Sequence, residues 1–253
     1  MKIIRYALLV LMLANNAYAA IDPKLWDFAE PVDSKGGTKG EAITVDYKDA
    51  RYPKPSVEGY YKLRAPVNGA HTSGTHQARD EAREKINGKK AAWKLTDGGT
   101  LHVVLSADEF PVLKDGKCGP IMIGQIHGAN TNNERVRLYD NCGILSYKDD
   151  KAGSKHKETE FFLTDANGKR TAIPIGAKFE YLIKQDKDKV TVTAHFNGID
   201  YSATNPNSSF YKGVTAFYKW GIYLGVAPIG ADFSKTGTGA GAVTVYDATV
   251  SHP

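Results

Sequence analysis

The chain has 253 residues, of which 42% are apolar and 24% are charged, and it contains 25 glycines, 11 prolines and 14 tyrosines. These proportions exclude a fibrous protein, a disordered protein and a protein that crosses a membrane many times, and the length suits one large β domain or two small ones. The formal net charge of +5 is mildly basic. A charge this small does not by itself indicate a nucleic-acid partner, and we expect none.

The first nineteen residues are typical of a secretory signal peptide. Lys2 and Arg5 precede an apolar run over residues 7–14, and Ala17 and Ala19 supply an A-x-A cleavage pattern. We therefore expect a bacterial protein that is secreted or periplasmic, with residues 20–253 as one domain and no membrane association after cleavage. Loss of Lys2 and Arg5 leaves a net charge of about +3.

Period-two alternation of apolar and polar residues dominates the mature chain. A Pro-, Gly- and Lys-rich stretch comes first, with extended pieces at 42–47 and 59–66. Alternating runs bounded by Gly, Asn and Asp then occur at 101–106, 121–127, 135–140, 159–164, 179–185, 189–196, 216–225 and 242–251. Many short strands, with no long amphipathic helix, repeat or linker, predict an all-β jelly-roll β-sandwich of two packed antiparallel sheets.

Turn and cysteine signals agree with this architecture. Asn197-Gly198 and Asn167-Gly168 are strong hairpin dipeptides because both residues tolerate positive φ. Cys118 and Cys142 flank two consecutive strands, and export makes a disulfide permissible. We predict that they form a bridge joining the entry of one strand to the exit of the next. The alternative is two separate buried thiols.

Four stretches of strand carry an unusual set of polar side chains on one face. Alternate residues of a strand point to opposite sides, so Arg79, Glu81 and Arg83 share a face with Gln77. The same rule groups other polar residues opposite apolar ones. Gln125 and His127 oppose a side made of Ile126, Met122 and Gly124; Arg135, Arg137 and Tyr139 oppose Val136 and Leu138; and Phe217, Lys219 and Tyr223 oppose Tyr218, Trp220, Ile222 and Leu224.

A merely solvated face would not need Arg, Gln, His, Lys and Tyr together. Arginine forks match carboxylates bidentately, and tyrosines add stacking area and a hydroxyl. The pattern therefore predicts a groove for an anionic, hydroxyl-rich polymer. The alternative for Arg79 and Arg83 is ion pairing with Glu81 on an exposed sheet, and the alternative for His127 is a structural histidine.

These residues also resemble the motifs of the alginate lyases of polysaccharide lyase family 7 and their relatives. The segment RDEAR at 79–83 is similar to R-[S/T]-E-L-R, QIH at 125–127 matches Q-[I/V]-H, and KWGIY at 219–223 resembles the core of Y-F-K-A-G-x-Y-x-Q. The three motifs occur in the family's order, and the closing VTVYDATVSH looks like its last strand. The resemblance spans roughly residues 60–252.

The motifs also depart from the family pattern. Asp80 replaces Ser or Thr, Ala82 replaces Leu, Phe217 stands where the family has Tyr, Trp220 replaces Ala, and residues 224–225 replace Asn-Gln. Most of these positions lie on the apolar side or at a motif margin. They indicate a distant branch with its own substrate contacts.

The resemblance implies a β-elimination at a uronic acid in alginate, with endolytic action and unsaturated uronate ends. The weakly acidic C5 hydrogen must be removed beside a carboxylate, which Arg79 and Gln125 would neutralise. Tyr223 would act as base and acid on mannuronate, and His127 would be the base on guluronate. Isoleucine between Gln125 and His127 favours guluronate-containing blocks. Further substrate contacts are expected from Arg83, Glu81, Lys219, Arg135 and Arg137.

Three other functions remain open from the sequence. A glucuronan or other polyuronate lyase would use the same carboxylate-neutralising logic, and a non-catalytic carbohydrate-binding module would use the same groove without a base. A glycoside hydrolase would need two carboxylates across the scissile bond, whereas Asp80 and Glu81 point to opposite faces.

The sequence indicates neither a metal nor a cofactor. Its seven histidines are scattered, without an H-E-x-x-H motif or a D-x-D-x-D-G calcium loop. We expect a monomer. The Asn- and Ser-rich segments 129–133 and 204–212 are candidate lids beside the site.

Overall fold

The computed structural model describes residues 21–46, 59–187, 189–206, 209–231 and 236–253. The predicted signal peptide lies outside these residues. The described chain forms nineteen strands. They are β1 (Trp26–Ala29), β2 (Thr44–Asp46), β3 (Tyr61–Pro66), β4 (Arg79–Ile86), β5 (Lys89–Lys90), β6 (Trp93–Lys94), β7 (Gly99–Glu109), β8 (Val112–Leu113), β9 (Ile121–Gly128), β10 (Glu134–Asn141), β11 (Ile144–Asp149), β12 (Thr159–Phe162), β13 (Lys178–Asp186), β14 (Lys189–Phe196), β15 (Ile199–Pro206), β16 (Thr215–Leu224), β17 (Ala227–Pro228), β18 (Thr236–Thr238) and β19 (Ala240–Ser251).

Helical structure in the described residues is limited to four 3-10 turns. They are Pro23–Leu25, Leu95–Asp97, Ser154–His156 and Ser209–Tyr211. None of the described helices has the length and apolar composition needed to cross a membrane.

Two large antiparallel sheets make up most of the fold. The front sheet has the strand order β12-β11-β10-β9-β16-β4-β1-β2, with β5 paired to β4 and β6 paired to β16. The back sheet has the order β15-β14-β13-β7-β19-β3. A small third sheet contains β17, β18 and β8, and only its β17–β18 pair is parallel. The predicted β-sandwich is confirmed, and the segment 80–90 that could be mistaken for a helix is the strand pair β4–β5.

The apolar faces of the two sheets pack against each other and exclude water. Trp220 of the front sheet contacts Trp26 with ring centroids 5.4 Å apart, and it contacts Tyr61 of the back sheet at 6.1 Å. Tyr181 of β13 donates its hydroxyl hydrogen to the Ile123 carbonyl of β9 at 2.6 Å. Burial of such aromatic side chains is the main stabilising contribution to a sandwich of this kind.

Turns and the disulfide follow the sequence with one exception. Asn197 and Gly198 have φ values of 50° and 77° and connect β14 to β15. Gly168 instead ends a tight turn beside the isolated bridge between Thr164 and Arg170, not a hairpin of two longer strands. The predicted Cys118–Cys142 disulfide is present, with Cα atoms 6.4 Å apart, and it ties the start of β9 to the end of β10.

Candidate active site

The four central strands of the front sheet bring the three motifs together. In the order β4, β16, β9 and β10, one row of paired residues is Arg83, Lys219, Gln125 and Arg137. A second row is Arg79, Tyr223, Met122 and Tyr139. Motifs far apart in the chain therefore become neighbours, because β16 is inserted between β4 and β9.

The buried carboxylate of Glu81 is the common partner of three of these side chains. Lys219 donates to Glu81 from Nζ at 3.0 Å, Gln125 donates to it from Nε2, and the nearest Arg79 nitrogen lies 3.7 Å away. Glu81 is only 2% exposed. Our prediction that Glu81 contacts substrate does not fit this burial. Its position suits holding Arg79, Gln125 and Lys219 instead.

Gly221 lets β16 approach the backbone of β4 closely beside Glu81. It is paired with Glu81 across β16 and β4 and has a φ of 125°, which side chains rarely adopt. A Cβ atom at this position would lie 2.6 Å from the Asp80 carbonyl oxygen and 3.0 Å from the Glu81 Cα. The glycine of the third motif is therefore required by a close approach of two strands.

Tyr223 and Arg79 face each other at the next row. The Arg79 guanidinium lies 4.2 Å from the centre of the Tyr223 ring, and the Tyr223 hydroxyl donates to Gln77 Oε1 at 2.9 Å. Burial raises the pKa of Tyr223 above its ordinary value, although the Arg79 charge opposes the rise. Tyr223 is therefore a phenol at neutral pH, in the form that can donate a proton.

The imidazole ring of His127 is held by a ring stack and by a hydrogen bond. It stacks on Phe217 with centroids 5.0 Å apart, and Arg83 covers the same Phe217 ring at 3.9 Å. Its Nδ1 lies 2.7 Å from the Gly128 carbonyl oxygen, which can only accept, so Nδ1 carries the hydrogen. Burial, and then the charge of Lys219, lowers the pKa of His127 to about 4. At neutral pH His127 is uncharged and its Nε2 holds a lone pair.

A carboxyl pair lies beside His127. Glu134 Oε1 is 3.3 Å from His127 Nε2, and the backbone N–H of Glu134 donates to Asp150 Oδ2 at 2.9 Å. The guanidinium of Arg137 contacts both Asp150 and Glu158. Arg137 is thus half-buried and already paired with two carboxylates, which limits how fully it can serve a substrate carboxylate as predicted.

Two cavities on the outer face of the front sheet form adjacent sections of one groove. The first, of about 520 Å³, is lined by residues that include Gln77, Glu134 and Tyr223. The second, of about 560 Å³, is lined by Arg79, Arg83, His127, Gly128, Ala129, Asn130, Thr131, Asn132, Phe217 and Lys219. Glu134 of the first section contacts His127 of the second, which joins the two.

The two candidate lid segments differ in their relation to this groove. Residues 129–132 of the first segment line the second cavity. In the second segment, Tyr211 is buried and its hydroxyl donates to Asp149 at 2.6 Å, which fixes that part of the segment; residues 207–208 lie outside the described chain.

The prediction that Arg135 lies on the groove face is wrong. Arg135 is 1% exposed and points between the sheets, where it pairs with Asp149 and donates to the Asn205 carbonyl oxygen of β15 at 3.2 Å. The cause is a β-bulge, because Glu134 pairs with His127 whereas Val136 pairs with Ile126. The extra residue puts Glu134 on the groove face in place of Arg135.

Met122 shows the same effect on β9. Alternation placed Met122 with Ile126 on the apolar side, yet Met122 lines the first cavity with Tyr139 and Tyr223. The register shifts between Leu138 and Tyr139 on the partner strand, so the parity of β9 changes near Gly124. Groove residues that we did not select as site residues from the sequence include Gln77, Met122 and Glu134. Of these three, Gln77 had a usable signal, because it shared a face with Arg79.

No group of three His, Cys, Asp or Glu side chains is arranged to hold a metal ion within the described ranges. The groove brings together fixed cations, the neutral imidazole of His127 and the neutral phenol of Tyr223. Such a set can hold a carboxylate and move a proton to and from a sugar.

Comparison with solved structures supports the fold. The alginate lyase from Klebsiella pneumoniae has a TM-score of 0.75 at 22% identity, with 92% of this chain and 97% of that chain covered. An alginate lyase from Pseudomonas aeruginosa has a TM-score of 0.72 at 20% identity, with coverages of 92% and 100%. A family 7 alginate lyase, A1-II′, solved with a product, has a TM-score of 0.69 at 19% identity, with coverages of 92% and 97%.

Comparison with sequences identifies the family. No curated protein matches the chain significantly. The family model described as alginate lyase, however, matches residues 21–252, which include all three motifs and both sheets. The resemblance read from the motifs is confirmed, and this protein belongs to the alginate lyase family of polysaccharide lyases.

Proposed function

We propose that this enzyme cleaves alginate endolytically by β-elimination in the groove of the front sheet, with Arg79, Gln125, His127 and Tyr223 at the reacting sugar. The observation that carries the proposal is the meeting of Arg79, Gln125 and Lys219 at Glu81, next to a neutral His127. Two structures that resemble it, both of the family 7 alginate lyase A1-II′, were solved with a product and with a substrate.

The first task is to neutralise the uronate carboxylate. Arg79 keeps unpaired donor capacity, since its Nε is buried without a partner and one of its terminal nitrogens has only a 3.3 Å bond to Thr72. Gln125 carries a second N–H beside the one given to Glu81. A carboxylate seated between these groups gains two donors that are already oriented, which stabilises the enolate as charge moves onto it.

The second task is to move two protons. His127 Nε2 has a lone pair for the C5 hydrogen, and Tyr223 is protonated and can donate to the leaving C4 oxygen. Tyr223 would have to lose its own proton before acting as a base, and burial opposes that loss. This division of roles, with His127 as base, favours guluronate at the cleavage position, in agreement with the isoleucine at position 126.

Export and a monomeric state complete the proposal. The disulfide fits an oxidising compartment. Because both groove sections lie on one face of a single chain, no second subunit is needed to build the site.

The test is an ultraviolet absorbance assay for unsaturated uronate with the purified mature protein and three polymers, rich in mannuronate, guluronate or glucuronate. We expect cleavage of alginate, with the guluronate-rich polymer preferred. His127→Ala should lower turnover on it by at least about 100-fold, the usual scale of acid–base catalysis. The control is His102→Ala, since His102 pairs with Glu180 on the back sheet at 2.7 Å. Binding of all polymers without any chromophore would contradict a lyase.

A further inference from the structure

The carboxyl pair beside His127 has no role in the elimination described above. Glu134 and Asp150 are held together through both backbones, since the Asp150 N–H also donates to the Glu134 carbonyl oxygen at 3.1 Å. Their side chains are each about four-fifths buried. A second carboxyl group in a groove for a polyanion needs an explanation, because an ionised Glu134 would repel substrate.

The geometry of His127 leaves little freedom at Nε2. The Nδ1 hydrogen is committed to the Gly128 carbonyl, and stacking on Phe217 holds the plane of the ring. Nε2 therefore points at Glu134 Oε1, 3.3 Å away. This is the same nitrogen whose lone pair has to take the C5 hydrogen.

A lone pair and a carboxylate oxygen at this distance attract each other only with a proton between them. Burial, and the negative charge of the adjacent Asp150, raise the pKa of Glu134, whereas burial and the charge of Lys219 lower the pKa of His127. The proton therefore resides on Glu134. Although burial opposes it, the hydrogen bond from the Glu134 backbone N–H and the charge of Arg137 lower the pKa of Asp150 and keep it the charged partner.

We propose that Glu134 is a positioning residue that covers the lone pair of His127 Nε2 while it is protonated and releases it when it ionises. The proton lost by Glu134 goes to water. The carboxylate that remains then accepts a hydrogen bond from the imidazolium formed when Nε2 takes the C5 hydrogen. The inference rests on the proposed role of His127 as base.

Charges on every neighbouring strand bear on this switch. Lys219 of β16 favours the ionised form of Glu134, and Lys219 and Arg83 of β4 both favour the neutral form of His127. Glu81 of β4 opposes them at His127, and Arg137 of β10 acts on Glu134 and Asp150. An anionic polymer in the groove would favour protonated Glu134, so the cover should be most complete at low pH with substrate bound.

Two variants separate the hydrogen-bond donor of Glu134 from its ability to carry a charge. Glu134→Gln keeps an N–H that can cover Nε2 but cannot ionise, and Glu134→Leu has neither property. The matched control is Glu180→Gln, which removes the acid of another His–Glu pair, on the back sheet. Circular dichroism and thermal midpoints check that each variant is folded, and Glu134→Gln alone suffices if Glu134→Leu is not.

The first readout is the ¹⁵N chemical shift of His127 Nε2 in the free protein as a function of pH, assigned with His127→Ala. We expect a titration above neutral pH in the wild type and in Glu180→Gln, and none in either Glu134 variant. An Nε2 shift that titrates unchanged in Glu134→Gln would overturn the proposal, whether or not the protein cleaves alginate.

The second readout is the pH profile of kcat/KM on guluronate-rich alginate. The wild-type value should rise by about tenfold or more above neutral pH, a modest part of the effect of acid–base catalysis. Glu134→Gln should stay at the low level, and Glu134→Leu, which neither covers Nε2 nor ionises, should lose the rise with pH. A third result would contradict the proposed function instead. If the Nε2 shift titrates in the wild type but not in Glu134→Gln, while both proteins have the same kcat/KM profile, then Glu134 covers Nε2 but His127 is not the base.

Discussion

Tyr223 and Arg79 depend on each other in the groove. The guanidinium lies over the phenol ring, where it opposes the rise in the pKa of Tyr223 that burial causes, and the ring in turn covers the guanidinium. Gln77 accepts the hydroxyl hydrogen and so fixes its direction. Arg79 thus adjusts the pKa of the proposed acid Tyr223, and Gln77 orients its hydroxyl group.

Removing the Tyr223 hydroxyl should therefore stop the enzyme without unfolding it. We predict that Tyr223→Phe lowers kcat by at least about 100-fold, because the leaving oxygen loses its proton donor. Arg79→Ala should lower turnover on a similar scale. The measurement is initial rate by absorbance, with Tyr246→Phe on the back sheet as control. Retained turnover in Tyr223→Phe would eliminate Tyr223 as the acid.

Asp80 is a residue whose burial disfavours its own charge. It lies on the apolar side of β4, is 1% exposed, and accepts a hydrogen bond from the Arg64 backbone N–H at 3.0 Å. Burial raises its pKa from 3.8 to about 8, with the charges of Glu30 and Glu81 adding to the rise. The folded state thus binds a proton that the unfolded chain releases.

Because folded Asp80 keeps this proton, the free energy of unfolding should fall as pH rises between 3.8 and about 8. We predict that Asp80→Asn, which keeps an acceptor for Arg64 and cannot ionise, raises the free energy of unfolding more at pH 8 than at pH 5. The gain should exceed about 1 kcal/mol, the value of one pKa unit. Denaturant unfolding at the two pH values measures it, and an equal effect at both would contradict the raised pKa.

At the scale of the strand, alternation predicted most of the groove and failed where a bulge changed the parity. On β4 and β16 the face assignments hold, since Arg79, Glu81 and Arg83 lie opposite Asp80. On β10 an extra residue turned Arg135 inward and Glu134 outward. Nothing in the run ERVRLYD marks this bulge, because it is fixed by the buried partners Asp149 and Asn205 on other strands.

The side-chain roles were harder to predict than the faces. Glu81, Lys219 and Arg137 share the groove face as expected, but their pairing with one another and with Asp150 and Glu158 depends on distances between strands. A sequence pattern gives which side a residue points to and not which partner it finds. The disulfide was predictable because it needs only two cysteines beside consecutive strands.

The contact between β4 and β16 gives a prediction at this scale. Gly221→Ala would place its Cβ 2.6 Å from the Asp80 carbonyl oxygen and would require alanine to adopt a φ of 125°. We predict that it lowers the free energy of unfolding by more than Gly88→Ala, which has a φ of 73° but open space around it. The control should cost about 1–2 kcal/mol for the backbone alone.

Denaturant unfolding of both variants measures this difference directly. The displacement of Glu81 in Gly221→Ala should also lower kcat, because Arg79, Gln125 and Lys219 lose their common partner. Equal free energies of unfolding for the two variants would mean that β4 and β16 can move apart at Gly221 without loss of stability. The close approach of these strands would then not be what holds Glu81 in place.

At the scale of the whole molecule, the two sheets differ in how their positive charges are arranged. The front sheet gathers Arg79, Arg83 and Lys219 in one section of the groove, whereas exposed cations such as Lys184 lie on the back sheet. The formal net charge of +5 conceals this concentration of charge. The order of strands in the front sheet, which composition does not predict, is what produces it.

Concentrated charge on one face should make substrate capture depend on salt. We predict that kcat/KM for alginate falls as ionic strength rises toward 1 M, where the screening length is about 3 Å, while kcat at saturating polymer changes less. Arg83→Gln should flatten this dependence, because it removes a groove cation, and Lys184→Gln should leave it as in the wild type. Since both variants lose one positive charge, equal slopes would show that the total charge of the molecule, and not its arrangement on the front sheet, attracts the polymer.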